Sequence, residues 1–114
     1  MFRGEIWELS LARSKRAASA QARRVVLISS DSLGVLPLRV VVPLVPWQDG
    51  FNSVPWMVRI PPTLHSGLDA TFAADALQVR SVMIPHLIRR VGDLPRQLVD
   101  AIEVAVEGIL SGGS

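Results

Sequence analysis

The sequence has no cysteine and only two histidines among its 114 residues. The absence of cysteine excludes disulfide bonds and thiolate chemistry, and it fits a protein of the reducing cytoplasm. No apolar segment approaches the roughly 20 residues that a membrane-spanning helix needs, and an acid, Glu5, stands close to the N-terminus. We therefore expect neither a signal peptide nor a membrane anchor.

The two histidines are poorly placed for metal binding. His65 and His86 lie 21 residues apart, outside the spacings that zinc ligands usually show. We therefore expect no metal site and no other cofactor. Because 49% of the residues are hydrophobic, a chain of this length can close one core, which predicts a single domain over residues 1–114.

The charges are unevenly distributed, although the formal net charge is only +2. Basic residues gather in a segment that contains no acid between Glu8 and Asp31, whereas acidic residues gather near the C-terminus. Arginine pairs with phosphate through two hydrogen bonds, so the basic segment suits a polyanion. A charged loop that only keeps the protein in solution explains the same composition equally well.

Short apolar segments predict a mainly β fold. Residues 25–28 and 40–42 are β-branched runs of the kind found in central strands that are buried on both faces. Residues 12–22 are small and basic without apolar periodicity, which predicts a long loop that carries positive charge. Six strands are predicted, at residues 4–11, 25–28, 40–42, 56–60, 76–82 and 87–91.

The C-terminal segment has a helical period instead. Apolar residues recur at intervals of three and four from Leu94 to Ile109, which places one apolar stripe on a helix of about four turns. Pro95 suits the first turn of this helix. The predicted fold class is therefore mainly β (α+β): a small barrel with one helix packed against its side.

Three segments resemble the MazF/PemK family of toxins. Residues 3–7, RGEIW, resemble the family's opening R-G-[DE]-[IV]-[WY], and residues 23–31, RRVVLISSD, resemble its R-P-x-V-V-[IL]-x-x-[DN] strand. Residues 78–82, QVRSV, are similar to its Q-[IV]-[RK]-[ST]-[IV] strand. The order and spacing of these segments agree with the family over nearly the whole chain.

The resemblance implies an SH3-like barrel of five to seven strands with a C-terminal helix, similar to MazF and CcdB, in a cytoplasmic homodimer. It implies a toxin of a type II toxin-antitoxin system that cuts single-stranded RNA at specific sequences without a metal. In that reaction the 2′-hydroxyl of the RNA attacks the adjacent phosphorus. A MazE-like cognate antitoxin would neutralise the toxin.

The resemblance also assigns site residues. Arg23 matches the family arginine that contacts the scissile phosphate, and it is the predicted catalytic residue. Gln78 and Arg80 are predicted to alternate onto one face of their strand, near the RNA groove or the dimer contact, although a plain solvent-facing pair is equally consistent. The predicted substrate-binding residues are Lys15, Arg16, Gln21, Arg24, Gln78 and Arg80.

Three positions depart from the family pattern, and one of them is Pro46, which stands where the family has serine. Arg24 stands where the family usually has proline, which adds an amide donor and a charge. Residues 40–46, VVVPLVP, resemble the family's V-V-V-P-L-T-S, so Val45 replaces a threonine that helps at the scissile phosphate. Valine has no hydroxyl, and removing one such donor can slow a reaction by about 10² to 10³. Either another group substitutes, with Ser29, Ser30 and Ser53 as candidates, or cleavage is slow or lost.

Two other functions fit the sequence. A CcdB-like toxin would act by binding a protein, and a degenerate family member would retain RNA or antitoxin binding without cleavage. The segment around Arg23 favours the nuclease, whereas Val45 favours the alternatives. Trp47 and Trp56 bracket a loop, and they suit stacking on RNA bases, packing of the barrel or contact with an antitoxin.

Overall fold

The computed structural model describes residues 1–10 and 23–112, and within these ranges the chain forms a seven-stranded antiparallel sheet and one α-helix. The elements are β1 (Glu5–Leu9), β2 (Arg23–Leu27), β3 (Leu38–Pro46), β4 (Met57–Ile60), β5 (Phe72–Asp75), β6 (Arg80–Met83), β7 (Leu87–Asp93) and α1 (Arg96–Leu110). The sheet runs in the order β4-β5-β3-β2-β1-β7, and β6 pairs with β3 beside this path. The predicted basic loop of residues 12–22 lies outside the described residues.

The strand β3 has three partners. Residues 38–41 pair with β6, residues 41–43 with β2 and residues 44–46 with β5. A single strand of nine residues therefore joins every part of the sheet. Its sequence, LRVVVPLVP, is rich in valine, which packs well on a pleated surface.

Both faces of the central strands are buried. Val26 and Val42 lie in the main core, which also receives α1, while Val25 and Val41 lie in a second apolar cluster on the opposite face. Successive residues of a strand point to opposite faces, so this division follows from the alternation along β2 and β3. The prediction that residues 25–28 and 40–42 form central strands buried on both faces is confirmed.

The C-terminal helix is also confirmed, with a later start. Val99 and Ile102 of α1 are buried in the main core. Pro95 does not lie in the first turn, because it is extended with ψ 154° and precedes the helix, and the Leu94 amide before it donates to the Gly4 carbonyl oxygen at 2.9 Å. Within the described part of the chain, no helix is long and apolar enough to cross a membrane.

The strand prediction for residues 76–82 is wrong in its first half. Residues Ala76–Gln78 form a 3₁₀ turn, and only β6 remains extended. The buried side chain of Asp75 accepts a hydrogen bond from the Leu77 amide at 3.2 Å, which stabilises the turn. The preceding strand β5 was not predicted, since its sequence FAAD lacks the β-branched residues that mark a strand.

The loop between β4 and β5 packs closely on β7. Ser66 is fully buried, and its hydroxyl accepts hydrogen bonds from the amides of Thr63 at 3.0 Å and Leu68 at 3.2 Å. A Cβ on Gly92 would lie 2.3 Å from the Ser66 carbonyl oxygen, closer than any real contact. Gly67 has φ +70°, and a Cβ there would lie equally close to the β7 backbone. The backbones can meet only because both positions are glycine.

We expect Gly92→Ala to lower the free energy of unfolding by about 1–3 kcal/mol, because the added methyl must displace backbone rather than a flexible side chain. Gly108→Ala is the matched control, since nothing lies within 4 Å of a Cβ there. In a helix that substitution should stabilise the protein by up to about 1 kcal/mol. Urea titration would measure both values, and a Gly92→Ala variant as stable as the wild type would contradict the close packing.

Candidate functional site

A groove of about 420 Å³ opens where β2 begins and β3 ends. The register of the two strands pairs Val25 with Pro43, and continuing it by two residues places Arg23 opposite Val45. The predicted catalytic arginine and the valine that replaces the family threonine therefore meet at one place. The described residues that line the groove are Glu8, Arg23, Arg24, Leu44, Val45, Pro46 and Phe72.

Arg23 is the first residue of β2 and pairs with Leu9 of β1. Its side chain is exposed, and it forms no ion pair with any carboxylate in residues 1–10 and 23–112. The strand fixes the backbone of Arg23 while leaving its guanidinium charge unneutralised by the described residues. Such a group can donate two hydrogen bonds to a phosphate.

Arg24 is held inside the groove by two contacts. Its guanidinium carbon lies 5.4 Å from the centre of the Phe72 ring, and its Nη1 lies 3.7 Å from Asp69 Oδ1. Asp69 belongs to the loop that packs on β7, and its side chain is 84% exposed, so solvent weakens the ion pair. Arg24 is thus oriented by an aromatic ring and a carboxylate at the position where the family has proline.

Glu8 contributes a carboxylate between two arginines. It lies directly opposite Arg24 on β2 and Arg89 on β7, and Arg89 Nη2 donates a hydrogen bond to Glu8 Oε1. This hydrogen bond lowers the pKa of Glu8 below its ordinary value of 4.5, outweighing the partial burial that raises it, and the charges of Arg89 and Arg24 lower it further. Glu8 is therefore ionised at neutral pH. The sequence analysis did not identify Glu8, because its neighbours come from distant strands.

Gln78 and Arg80, which were predicted to share one strand face, lie in different elements. Gln78 lies in the turn, and its Nε2 donates to Asp75 Oδ2 at 2.6 Å. Arg80 begins β6 opposite Val41, with an exposed side chain. The prediction that the two residues share a strand face is therefore wrong. Lys15, Arg16 and Gln21 lie outside the described residues.

The serines proposed as substitutes for the missing threonine do not line the groove. Ser29 Oγ accepts a hydrogen bond from the Val40 amide at 3.2 Å, and Ser53 Oγ donates to the Gly50 carbonyl at 3.2 Å. Ser29 and Ser30 follow the far end of β2, about 20 Å from Arg23 by the rise of a strand. None of these serines supplies the missing hydroxyl to the groove, and none of the described residues that line the groove carries a hydroxyl.

Three exposed arginines on one face of the sheet have neither a carboxylate nor a carbonyl partner among residues 1–10 and 23–112. Arg59 is aligned with Val45 through Ala73, and Arg80 with Val41. Directly paired residues project to the same face, as do alternate residues of one strand. Among the described arginines, Arg39 donates to backbone carbonyl groups. The described arginines that pair with carboxylates are Arg3, Arg24, Arg89, Arg90 and Arg96. Arg23, Arg39, Arg59 and Arg80 form no ion pair within residues 1–10 and 23–112, and of these only Arg39 donates to backbone carbonyl groups.

The histidines take no part in this site. His86 Nδ1 lies 3.1 Å from the Ser10 carbonyl oxygen, to which it can donate, and His65 is exposed in the loop between β4 and β5. In the ranges that the structure describes, no three histidine, aspartate or glutamate side chains are grouped so that they could hold a metal ion.

Solved structures share this architecture. An endoribonuclease in complex with its cognate antitoxin from Mycobacterial species aligns with a TM-score of 0.76 and 16% identity, over 97% of this chain and 95% of that one. Mycobacterium tuberculosis toxin MazF-mt6 aligns with a TM-score of 0.73 and 16% identity, over 94% and 96% of the chains. MazE-MazF (Form-II) from Deinococcus radiodurans gives a TM-score of 0.73 and 18% identity, over 98% and 95%. These likenesses confirm the predicted fold class.

Sequence comparison identifies the family. Endoribonuclease MazF9 of Mycobacterium tuberculosis (strain ATCC 25618 / H37Rv) is 30% identical over 96 residues, which are 81% of this chain and 80% of that protein. The sequence profile of the PemK-like, MazF-like toxins of type II toxin-antitoxin systems matches residues 2–110. The profile covers the strands, the helix and both sides of the groove around Arg23 and Val45, and the chain therefore belongs to this toxin family.

Proposed function

We propose that this chain is a metal-independent, sequence-specific endoribonuclease that cleaves single-stranded RNA and is neutralised by a cognate antitoxin. The observation that carries the proposal is that Arg23 lines a groove with no carboxylate partner among the described residues, on the same sheet face as Arg59 and Arg80. The names of related proteins support it: one relative is an endoribonuclease, and one similar structure is an endoribonuclease with its cognate antitoxin.

The reaction needs few protein groups. The 2′-oxygen of the RNA forms a bond to the adjacent phosphorus, and the bond from phosphorus to the 5′-oxygen breaks. One proton leaves the 2′-hydroxyl and one reaches the 5′-oxygen, so the products are a 2′,3′-cyclic phosphate and a 5′-hydroxyl. Negative charge grows on the non-bridging oxygens in the transition state, and the Arg23 guanidinium is placed to stabilise it.

Glu8 is the group in the described groove that can accept the proton of the 2′-hydroxyl. It is ionised at neutral pH, and its ion pair with Arg89 limits its repulsion of RNA. The lowered pKa makes Glu8 a weak base, so it would compensate only in part for the hydroxyl that Val45 lacks. This combination favours slow cleavage over an inactive protein.

One alternative retains support. Because no described hydroxyl replaces the threonine, a family member that binds RNA or antitoxin without cutting fits the same groove. We further propose a cytoplasmic location, which the absence of cysteine fits, and a homodimer. The cross-strand pair Leu38 and Met83, which are 41% and 44% exposed, gives the sheet an apolar surface that a second copy could cover.

We expect Arg23→Ala to abolish cleavage of a long single-stranded RNA in EDTA without changing thermal melting. Arg96→Ala is the matched control, since Arg96 is 93% exposed on α1, and it should cut like the wild type. Mapping of the cut ends should show 5′-hydroxyl groups. Near-normal cutting by the Arg23 variant would remove this residue from the mechanism, and no cutting by the wild type would favour the binding function.

Glu8→Gln should slow cleavage by about tenfold or more, because an amide cannot accept the proton. Binding of a 2′-O-methylated RNA, which cannot be cut, should be retained or strengthened, because a negative charge has been removed. The control is Glu107→Gln, an exposed position on α1. Single-turnover rates would decide the matter, and an unchanged rate for Glu8→Gln would show that another group takes the proton.

Val45→Thr restores the hydroxyl that the family pattern places in the groove, and the side chain is only partly buried. We expect cleavage to become faster, by at most about 10² to 10³. Val104→Thr serves as a control on the helix surface, where the side chain is 65% exposed. A slower or unchanged rate in Val45→Thr, measured with the same RNA, would show that this position no longer faces the reacting phosphate.

A further inference from the structure

An arginine and two aromatic rings form a cluster beside the groove. The guanidinium carbon of Arg59 lies 5.9 Å from the centre of the Trp47 ring, and the ring of Phe51 meets Trp47 edge-on at 5.6 Å and 87°. We call Trp47 and Arg59 the stacking pair. This edge-to-face contact with Phe51 restricts the orientation of the indole ring.

The stacking pair is positioned by the same strands as the groove. Trp47 follows the last residue of β3, and its amide donates to the Thr71 carbonyl at 3.2 Å, which continues the pairing of β3 with β5. Trp47 comes two residues after Val45, so their backbones are about 7 Å apart along the strand. Arg59 is aligned with Val45 through Ala73. A single nucleotide can span this separation.

The charge of the pair is available to a ligand. Arg59 is exposed and has no anionic partner among the described residues, and a cation over an aromatic ring at such a surface contributes only about 0.5–1 kcal/mol. The contact is therefore weak enough for a ligand to rearrange. Both a guanidinium plane and an indole offer a flat surface on which any base can stack, and the guanidinium can also contact a phosphate.

The sequence left base stacking, barrel packing and antitoxin contact open for Trp47 and Trp56, and the structure gives the two residues different surroundings. Trp56 lines a different groove, of about 640 Å³, between β4 and α1, together with apolar residues such as Leu77 and Val104. The described residues that line that groove include no arginine. Trp56 therefore packs against the helix, whereas Trp47 lies next to the charged guanidinium of Arg59.

We propose that Trp47 and Arg59 form a base-stacking subsite of the RNA groove, which holds the base of a nucleotide adjacent to the scissile phosphate. This inference rests on the proposed function. An unneutralised arginine on a flat ring, within one nucleotide of Arg23 and Val45, favours single-stranded RNA over a protein segment. The subsite adds affinity and positions the chain, because stacking accepts every base.

The test uses the full chain and a labelled 2′-O-methylated oligonucleotide of random sequence, whose blocked 2′-oxygen prevents cleavage. Trp47→Leu and Arg59→Ala should each weaken binding by about 5- to 100-fold, the range that stacking on one base supports. Trp47→Phe keeps a ring and should bind within about threefold of the wild type. Trp56→Phe is the matched control and should bind unchanged.

A second readout comes from tryptophan fluorescence. Quenching on oligonucleotide binding should disappear in Trp47→Phe and persist in Trp56→Phe. If Trp47→Leu fails to fold, Arg59→Ala and Trp47→Phe still decide the question. Wild-type affinity in Arg59→Ala with quenching that persists in Trp47→Phe would overturn the subsite.

The outcomes also separate this inference from the proposed function. If the wild type cuts RNA in EDTA while Trp47→Leu and Arg59→Ala bind and cut equally well, the nuclease stands and the subsite is wrong. If the wild type neither binds nor cuts RNA, both are wrong. If the two substitutions change binding of the antitoxin but not of RNA, the pair belongs to a protein contact and the inference is overturned.

Discussion

The structure depends on one strand with three partners. β3 pairs with β6, β2 and β5 along its length, so it joins the β2-β1-β7 part of the sheet to the β5-β4 part and to β6. Alternation along this strand sends Val42 and Leu44 into the main core and leaves Val45 in the groove. A shift of β3 by one residue would exchange these roles. The core and the site are therefore specified by the same register.

The parts of the fold that could be predicted are those with a strong local pattern. The β-branched segments of β2 and β3 and the apolar stripe of α1 were identified because each has its own period. β5 was missed because Ala73 and Ala74 carry no strand signal, and tertiary packing against β3 and β4 makes them extended. The turn after β5 depends on a hydrogen bond from the side chain of Asp75, which an apolar pattern does not contain.

The site was predictable only where a motif marks it. Arg23 and Val45 were identified from their matches to the family pattern, and the structure brings them into one groove. Glu8 and Arg59 were missed because their significance comes from cross-strand neighbours that lie far away in the sequence. The serines were wrong candidates for a related reason: residues near a motif in sequence can lie at the opposite end of a strand.

The number of unneutralised arginines has a consequence for the effect of salt. Each phosphate that a basic side chain neutralises releases counterions, so the logarithm of affinity falls with the logarithm of salt concentration by roughly 0.7 per phosphate on single strands. Among the described residues, Arg23, Arg59 and Arg80 together would contribute a slope of roughly −2, and phosphate contacts from the predicted binding residues Lys15 and Arg16 would make it steeper. The more numerous ion-paired arginines would add little, since their charges are already balanced. The toxin's affinity for RNA would then fall as the salt concentration rises, and stacking would provide the part that salt leaves untouched.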